Sequence, residues 1–574
     1  MLMNLKDQTI DLISRVLKMD PVAVSEIVET PPQPELGDLA LPCFRFAKQE
    51  RKAPPLIAQD LAAKISSEAG HLVKVEALGP YVNFFYDRSA YAASVFQAVA
   101  AQPDKLIGHV ADPEREKQVV LVEYSSPNIA KPFHVGHGFS TILGDAIAKL
   151  YAYQGYTVKR LNHLGDYGTQ FGRLIYAWLA WGNEEALEEE PIKELTRVYV
   201  KFHQLAEDNP EMYDAARDHF RRLELGEDLE YQLWERFRKL SLKEFARIFD
   251  RLNIAFDSYN GESFYSDKMP AIVDLLRAKG LLVESQGAQV VMLDDYNLAP
   301  CIILKSDGSS IYATRDITAI FYRAKTWDYY RNVYIVGKEQ THHFQQVFAV
   351  LDKLGHPKAG QNFHVAFGRL SFGDQDFSTR SGKVILLEDF LNETVKRVSE
   401  IMDEGGFDLA DQKEAIAEAI GVAAVKFIYL RAGREHDIVF SWEEMLDFAG
   451  DTAPYLLYAY ARAQSVLRKA QVSPADLAQA KVELLTEDTE FQVLKSLSQL
   501  EQASIDAVAA YEPSILTRQI ISLVRDYSRF YQSVSILKAE DPDLRLARLA
   551  LCNLFASQLK LALSLLGIAV VERM

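Results

Sequence analysis

Cysteine is scarce: Cys43, Cys301 and Cys552 are the only three in 574 residues, and they lie far apart. No CxxC pair is available to hold zinc, and no disulfide framework is indicated. Each cysteine is expected to be a small buried residue. Long apolar runs are missing too. No stretch approaches the roughly 18 uninterrupted apolar residues of a membrane span. The first residues, MLMNLKDQTIDLISRVLK, are amphipathic and carry acids, unlike a signal peptide. A cytoplasmic protein is expected. There is no glycine-rich phosphate loop, because neither Gly337-Lys338 nor Gly382-Lys383 is followed by Ser or Thr. Fixed-period repeats and low-complexity tracts are absent. Positive charge is in deficit: 63 Lys and Arg face 80 Asp and Glu, a net charge of −17. That speaks against a uniformly basic nucleic-acid binder. A local basic groove remains possible, because counterion release depends on the phosphates contacted and not on total charge.

What is present is an ordinary globular mixture, 48% hydrophobic and 25% charged. At about 150 residues per domain, three or four domains are expected. Residues 1–108 read as an α+β unit, with helices near 4–18 and 56–69 and two β-rich runs, HLVKVEAL and YVNFFYD, split by Gly79-Pro80. QPDKLIGHVADPEREK reads as a polar linker. At Val119 the texture changes to VVLVEY, a nearly all-apolar strand of the kind found in a buried parallel sheet. A helix from about Phe139 to Gln154 and a strand TVKRLNHLGD complete a doubly wound βαβ unit. Residues 184–252 read as a charged helical insertion, which with the residues after it extends to about 285. Sheet texture returns with AQVVMLDD, with IILKSDGSSIYATRDI as a hairpin around Asp307-Gly308, and with NVYIVGKEQ and FHVAFGRLSF. The rest is helical. Ile520, Val524, Tyr527, Tyr531 and Val534 share one helix face. The expected architecture is multidomain α/β: an N-terminal α+β domain (1–108), a doubly wound parallel, Rossmann-like domain (109–385), a helical connector (386–445) and a C-terminal α-helical bundle (446–574).

The strongest local signal is His134-Val135-Gly136-His137, set between a buried strand and a helix. A helix N-terminus offers free N–H groups and a positive dipole end to phosphate, and Gly136 permits close approach of the backbone. Two histidines can donate hydrogen bonds to phosphate oxygens as charge develops. A metal site is disfavoured, because no third ligand lies nearby in sequence.

The run EYSSPNIAKPFHVGHGFSTILGD, followed by NHLGDYGTQFG, DGSSIYATRDI, VYIVGKEQ and FSTRSGKVILLEDF, resembles the class I arginyl-tRNA synthetases. The likeness extends from GDLALPCFRFAK to the APYLLYAYAR region. It implies a ligase that activates L-arginine with ATP and transfers it to the 3′ adenosine of tRNA. ATP with Mg²⁺ is the implied co-substrate, with no zinc or organic cofactor, and a monomer is the family default. By resemblance, Glu123, Asn128, Tyr312, Asp316 and Gln340 surround arginine. The chemistry agrees, since a guanidinium calls for carboxylates in fork geometry. Ser125, His134, Gly136, His137, Phe377, Ser378, Thr379 and Arg380 are implied around ATP, with His134, His137 and Lys131 catalytic. Tyr81 and Asn83 match positions that meet a D-loop base, and Tyr455, Tyr458 and Tyr460 lie on the anticodon-facing segment. In this family amino-acid activation characteristically requires bound tRNA.

Three departures stand out. The usual GHLRST is here Gly136-His137-Gly138-Phe139-Ser140-Thr141, the usual Lys-Met-Ser-Lys loop is Asp376-Phe377-Ser378-Thr379-Arg380, and Gly-Pro-Tyr-x-Gln is Ala453-Pro454-Tyr455-Leu456-Leu457. Lys131 is the expected substitute for the missing loop lysine. Two alternatives stay open: a non-catalytic paralogue that binds arginine or tRNA, and an enzyme that passes the adenylate to another acceptor.

Overall fold

The computed structural model describes residues 5–69, 73–306, 308, 311–372, 385–405 and 412–574. Near the N-terminus, a three-stranded antiparallel sheet runs in the order Leu39–Pro42, Tyr81–Tyr86, Val73–Leu78. Helices Leu5–Leu17 and Pro54–Ser66 cover it. Ile13, Leu41, Ile57, Ile65, Val82 and Phe84 form its core.

The central sheet is four-stranded and parallel. Its order is Asn362–Phe367, Arg331–Gly337, Val119–Glu123, Thr157–Leu161. The chain leaves Val119–Glu123 in both directions, so the topology switches between that strand and Arg331–Gly337. A crevice at the carboxyl ends of the strands is the usual ligand position in such sheets. Val120, Leu121 and Val122 are fully buried, as their unbroken apolar run requires.

Helix Val135–Tyr153 packs on one side of this sheet and begins four residues earlier than its sequence pattern suggests. Helices Tyr312–Trp327 and Thr341–Lys353 pack on the other side. The insertion is helical as expected, with helices Glu184–Glu189, Pro191–Ala206, Glu211–Glu224 and Asp228–Arg251.

The hairpin expected around Asp307-Gly308 is not formed. Cys301–Leu304 pairs backwards with Ala288–Val291 in a separate antiparallel sheet, and the chain from Tyr312 is helical. The Asp-Gly turn signal therefore precedes a helix. FHVAFGRLSF is also divided: Leu370–Ser371 leaves the central sheet and pairs with Ile438–Val439.

The supposed polar linker is anchored. Leu106, Ile107 and His109 are buried. His109 Nδ1 lies 3.0 Å from Glu501 Oε1, and that carboxylate also accepts hydrogen bonds from Tyr153 and Gln154 at the far end of helix Val135–Tyr153. Glu501 sits in helix Leu500–Ala510 of the C-terminal bundle. The bundle also meets the N-terminal unit through a 2.8 Å ion pair between Lys495 and Asp38. Helix Pro542–Leu565 is long and apolar enough to cross a membrane, with mean hydropathy 1.3, but 72% of that window is buried inside the protein as a core helix. All three cysteines are buried and unpaired.

Candidate active site

The loop leaving Val119–Glu123 is tightly contorted. Ser125, Ser126 and Ala130 all have positive φ, at 71°, 47° and 59°. Such residues are uncommon outside glycine, and they cluster at functional sites. The Ser125 amide donates to Ser140 Oγ at 3.1 Å, and Thr141 Oγ1 donates to Ser125 Oγ at 2.9 Å. The Ser140-Thr141 pair of the helix thus holds the loop from below. Asn128 forms a bridge to Gly165, whose missing side chain makes room for the Asn128 amide.

His134 is the N-cap of helix Val135–Tyr153 and is not inside it. Its Nδ1 accepts from the Gly136 amide at 3.1 Å, and His137 Nδ1 accepts from the His134 amide at 3.3 Å. The rings lie 3.9 Å apart. Burial lowers the His134 pKa. Burial, with His134 and Lys131 nearby, pulls His137 down to about 3. Both rings are therefore neutral near pH 7. With Nδ1 accepting in each, the ring proton is assigned to Nε2, which is left free to donate.

The departure at Gly138-Phe139 has a packing reason. A Cβ on Gly138 would sit 3.0 Å from Leu387 Cδ1 and 3.2 Å from the Tyr429 hydroxyl oxygen. Phe139 packs against Phe367 and Tyr429, and the Tyr429 hydroxyl donates to the Val135 carbonyl. Asp376, Phe377, Ser378, Thr379, Arg380 and Lys383 lie outside the described residues. The chain beyond them is tied to the histidine motif: Val135 N donates to Ile385 O, and Leu387 N to Phe133 O.

Beyond Glu123 lies a cluster of buried charges. Glu123 pairs with Arg323, and His163 Nδ1 is 3.9 Å from its carboxylate. Burial disfavours the Arg323 cation, but Glu123, Tyr334 and Tyr265 more than reverse this, so it stays charged. Glu262 pairs with Arg315 at 3.0 Å, Asp166 with Arg238 at 2.9 Å, and Asp316 with His343 at 2.5 Å. Burial raises the Glu262 carboxyl, with Arg315 and His163 opposing and Asp316 and Asp166 adding to the rise. The four carboxylates Glu123, Asp166, Glu262 and Asp316 face three guanidinium groups, Arg238, Arg315 and Arg323. One negative charge is left over while the histidines are neutral. Arg315 Nε and Arg323 Nε and Nη1 are buried without a hydrogen-bond partner among the described residues, which points to a site that receives a ligand.

Tyr312 opens the helix that carries Asp316 and is 68% exposed, with Arg315 5.6 Å from its ring. Gln340 is exposed at the start of helix Thr341–Lys353. These residues converge on the carboxyl end of the sheet. Glu123, expected to meet a ligand cation, is already joined to a guanidinium of the chain itself. Sequence reasoning missed Arg323, Glu262, His163 and His343. Only Arg323 left a usable signal, seven residues after Asp316 on the same helix face.

Of the more remote candidates, Tyr81 is half-buried, with its ring edge-on to exposed Phe44 at 5.4 Å. Asn83 is only 3% exposed, and its amide donates to Leu36 O. On helix Ala453–Ala470, the Tyr455 hydroxyl bonds Ser528, and Arg462 lies over the rings of Tyr458 and Tyr531 at 4.5 and 4.9 Å. Tyr460 is core, 2% exposed. Asn83 and Tyr460 are thus turned away from any surface that tRNA could cover.

The family description "tRNA synthetases class I (R), catalytic domain" matches residues 103–442. The chain belongs to the class I arginyl-tRNA synthetase family. Residues 3–86 match its N-terminal domain and 456–574 the DALR anticodon binding domain. Arginine–tRNA ligases of Clostridium perfringens and Clostridium acetobutylicum are each 47% identical over 572 residues, covering all of both chains. The arginyl-tRNA synthetase structure from Thermus thermophilus superposes with TM-score 0.78 at 25% identity, covering 98% of this chain and 99% of that one. The one from Plasmodium falciparum shares the fold at TM-score 0.79, 22% identical, with 98% of each chain covered.

Proposed function

We propose that this chain activates L-arginine with ATP and esterifies it to the 3′-terminal adenosine of an arginine tRNA, acting as a cytoplasmic monomer. The observation that carries this reading is the buried charge cluster with one negative charge in excess, set beside a helix N-terminus capped by two neutral, donating histidines. A guanidinium completes the first, and a triphosphate suits the second.

In the first step an arginine carboxylate oxygen attacks the α-phosphorus of ATP. Pyrophosphate leaves and arginyl-adenylate forms. His134 and His137 would donate from Nε2 to phosphate oxygens, the Gly136 backbone would allow close approach, and Lys131 would supply positive charge to the transition state. Ser125, with Phe377, Ser378, Thr379 and Arg380, is assigned to the nucleotide. Asp316 and Glu262 would face the substrate guanidinium, with Asn128, Tyr312 and Gln340 along the rest of the amino acid and Glu123 holding Arg323 in place behind them. In the second step the terminal ribose hydroxyl of tRNA attacks the adenylate carbonyl and AMP leaves. Mg²⁺ belongs to the co-substrate, carried on the phosphates; among the described residues no group of three or more His, Cys, Asp or Glu could hold a metal.

Two charge-assisted hydrogen bonds at about 1.5–3 kcal/mol each give the site grounds to reject citrulline, which would leave a buried carboxylate unpaired. Discrimination of about 10⁴ is in reach of such a mismatch. For tRNA, the Tyr81–Phe44 ring pair offers a stacking surface for an unpaired base, worth roughly 1–3 kcal/mol, and Tyr455 and Tyr458 lie on the helix assigned to the anticodon side.

The test is ATP-dependent attachment of labelled arginine to total tRNA, beside an adenylate assay without tRNA. Charging with arginine, and not with lysine or citrulline, is the expected result. A folded protein that binds arginine or tRNA but charges nothing would overturn the proposal in favour of a binding paralogue or another acceptor.

A further inference from the structure

Three of the four carboxylates in the buried cluster have arginine partners, and arginines do not lose their charge. Asp316 differs. Its Oδ2 is held by His343 Nε2 at 2.5 Å, and the two side chains keep 23% and 24% of their exposure. The remaining carboxylates, Glu123, Asp166 and Glu262, are more deeply buried. So the acid nearest the mouth of the cluster is paired with the one kind of side chain that changes charge near neutral pH.

We propose that His343 is a specificity-determining positioning residue: neutral, it aims the Asp316 carboxylate at the substrate guanidinium, and protonated, it competes with that guanidinium for the same carboxylate. The inference rests on the reading that Asp316 receives the arginine side chain.

The charge count gives the reason. With His343 neutral, the four carboxylates exceed the three arginines by one, and an incoming guanidinium restores balance. With His343 protonated, the balance is already zero, and the ligand must displace a proton or enter beside a like charge. The groups facing His343 leave this role to it. From helix Tyr312–Trp327 comes Asp316, with Arg323 and His163 acting on that carboxylate from behind. From strand Asn362–Phe367 comes His364, whose pKa is lowered by burial. From strand Cys301–Leu304 comes Cys301, a buried thiol pushed up to about 12 and therefore neutral. Phe344 presents its ring edge from the same helix. Burial opposes the His343 cation, but the hydrogen bond and the charge of Asp316 outweigh it, so its pKa lies above the ordinary value. Its titration thus falls where it can be measured.

The experiment compares the arginine KM of the full-length wild-type enzyme, His343→Gln and Asp316→Asn in tRNA charging between pH 6 and 9, with kcat recorded in parallel. Glutamine keeps a neutral donor at the Nε2 position and cannot be charged. Expected is a wild-type KM that climbs as pH falls, approaching about tenfold per unit below the imidazole pKa, and a flat ratio in His343→Gln, with the kcat profiles alike. Arginine binding near neutrality should also release a proton from wild type and none from His343→Gln, read by calorimetry in two buffers of different ionisation enthalpy. The same acid rise in His343→Gln would overturn the role given to His343. An unchanged KM in Asp316→Asn would overturn the arginine assignment of Asp316 itself, and the two failures are distinguishable.

Discussion

Gly144 lies so close against Tyr124 that a Cβ on the glycine would meet the tyrosine Cβ and Cγ at 2.3 Å. Glycine in mid-helix costs about 1 kcal/mol relative to alanine, and here that cost allows helix Val135–Tyr153 to rest directly on the residue that follows Glu123. The contact sets the height of the helix over the loop that turns at Ser125, and with it the distance from the histidine motif to the charge cluster. Gly144→Ala should destabilise the protein by an amount at the upper end of the roughly 1–3 kcal/mol typical of overpacking, and should raise the KM for ATP and arginine together. Urea unfolding and steady-state charging check this. A variant as stable and active as wild type would mean the helix can shift without disturbing the loop.

Lys131 is close enough to His137 to act on its titration, and an acid, Asp376, holds the position where the class usually supplies a loop lysine. An acid facing a triphosphate would oppose the reaction, so a cation from elsewhere must serve the transition state. Lys131→Ala should lower adenylate formation by about 10²–10³ with little change in folding stability. Unchanged pyrophosphate exchange would remove Lys131 from this role and direct attention to Arg380 or Lys383.

His137 should stay neutral far below the pH at which an ordinary imidazole titrates, because its Nδ1 is committed to the His134 amide and its ring is buried. Nitrogen-15 spectra of histidine-labelled protein should show it as the Nε2–H tautomer from pH 8 down to about pH 5. The folded-state pKa is lowered, so the unfolded chain binds the proton more readily. Stability from this group is complete above the ordinary value near 6.5 and declines as pH falls toward about 3. A protonated His137 at pH 6 would contradict the hydrogen-bond assignment.

Much of this was legible in the sequence, and what was not has physical causes. VVLVE reads as a buried parallel strand because both its faces are covered, and the structure agrees. The histidine motif is readable because strand, glycine and helix follow one another along the chain. The Glu123–Arg323 pair joins residues 200 positions apart, and no local period announces such a contact. Glu262 and His343 reach the cluster from an irregular segment and from a helix start, and neither leaves a pattern. The Asp307-Gly308 turn misled because the same dipeptide serves hairpins and helix entries. QPDKLIGHVADPEREK misled because its few apolar residues, Leu106 and Ile107, are the buried ones, and its single histidine, His109, is held by Glu501.

Lys426 offers a test of the helical scaffold behind the site. It is 2% exposed on helix Lys413–Leu430, and its ammonium donates to the carbonyls of Leu252 and Gly567 near the C-terminal ends of two other helices. Burial lowers its pKa to about 8, with Asp145 opposing and Lys149 adding to the fall. An unfolded lysine titrates near 10.4. Between those values the folded state binds fewer protons than the unfolded one, so stability should rise with pH from about 8 to about 10.4, and the charged form should carry its full cost below 8. Lys426→Met removes the titration. It also leaves two helix-end carbonyls unpaired, so its absolute stability is no guide, but the difference from wild type is. That difference should move in favour of wild type by up to about 3 kcal/mol across the interval, read from urea unfolding at steps between pH 7.5 and 10. A constant difference would mean that the two carbonyls and Asp145 fully offset burial, leaving Lys426 an ordinary ammonium.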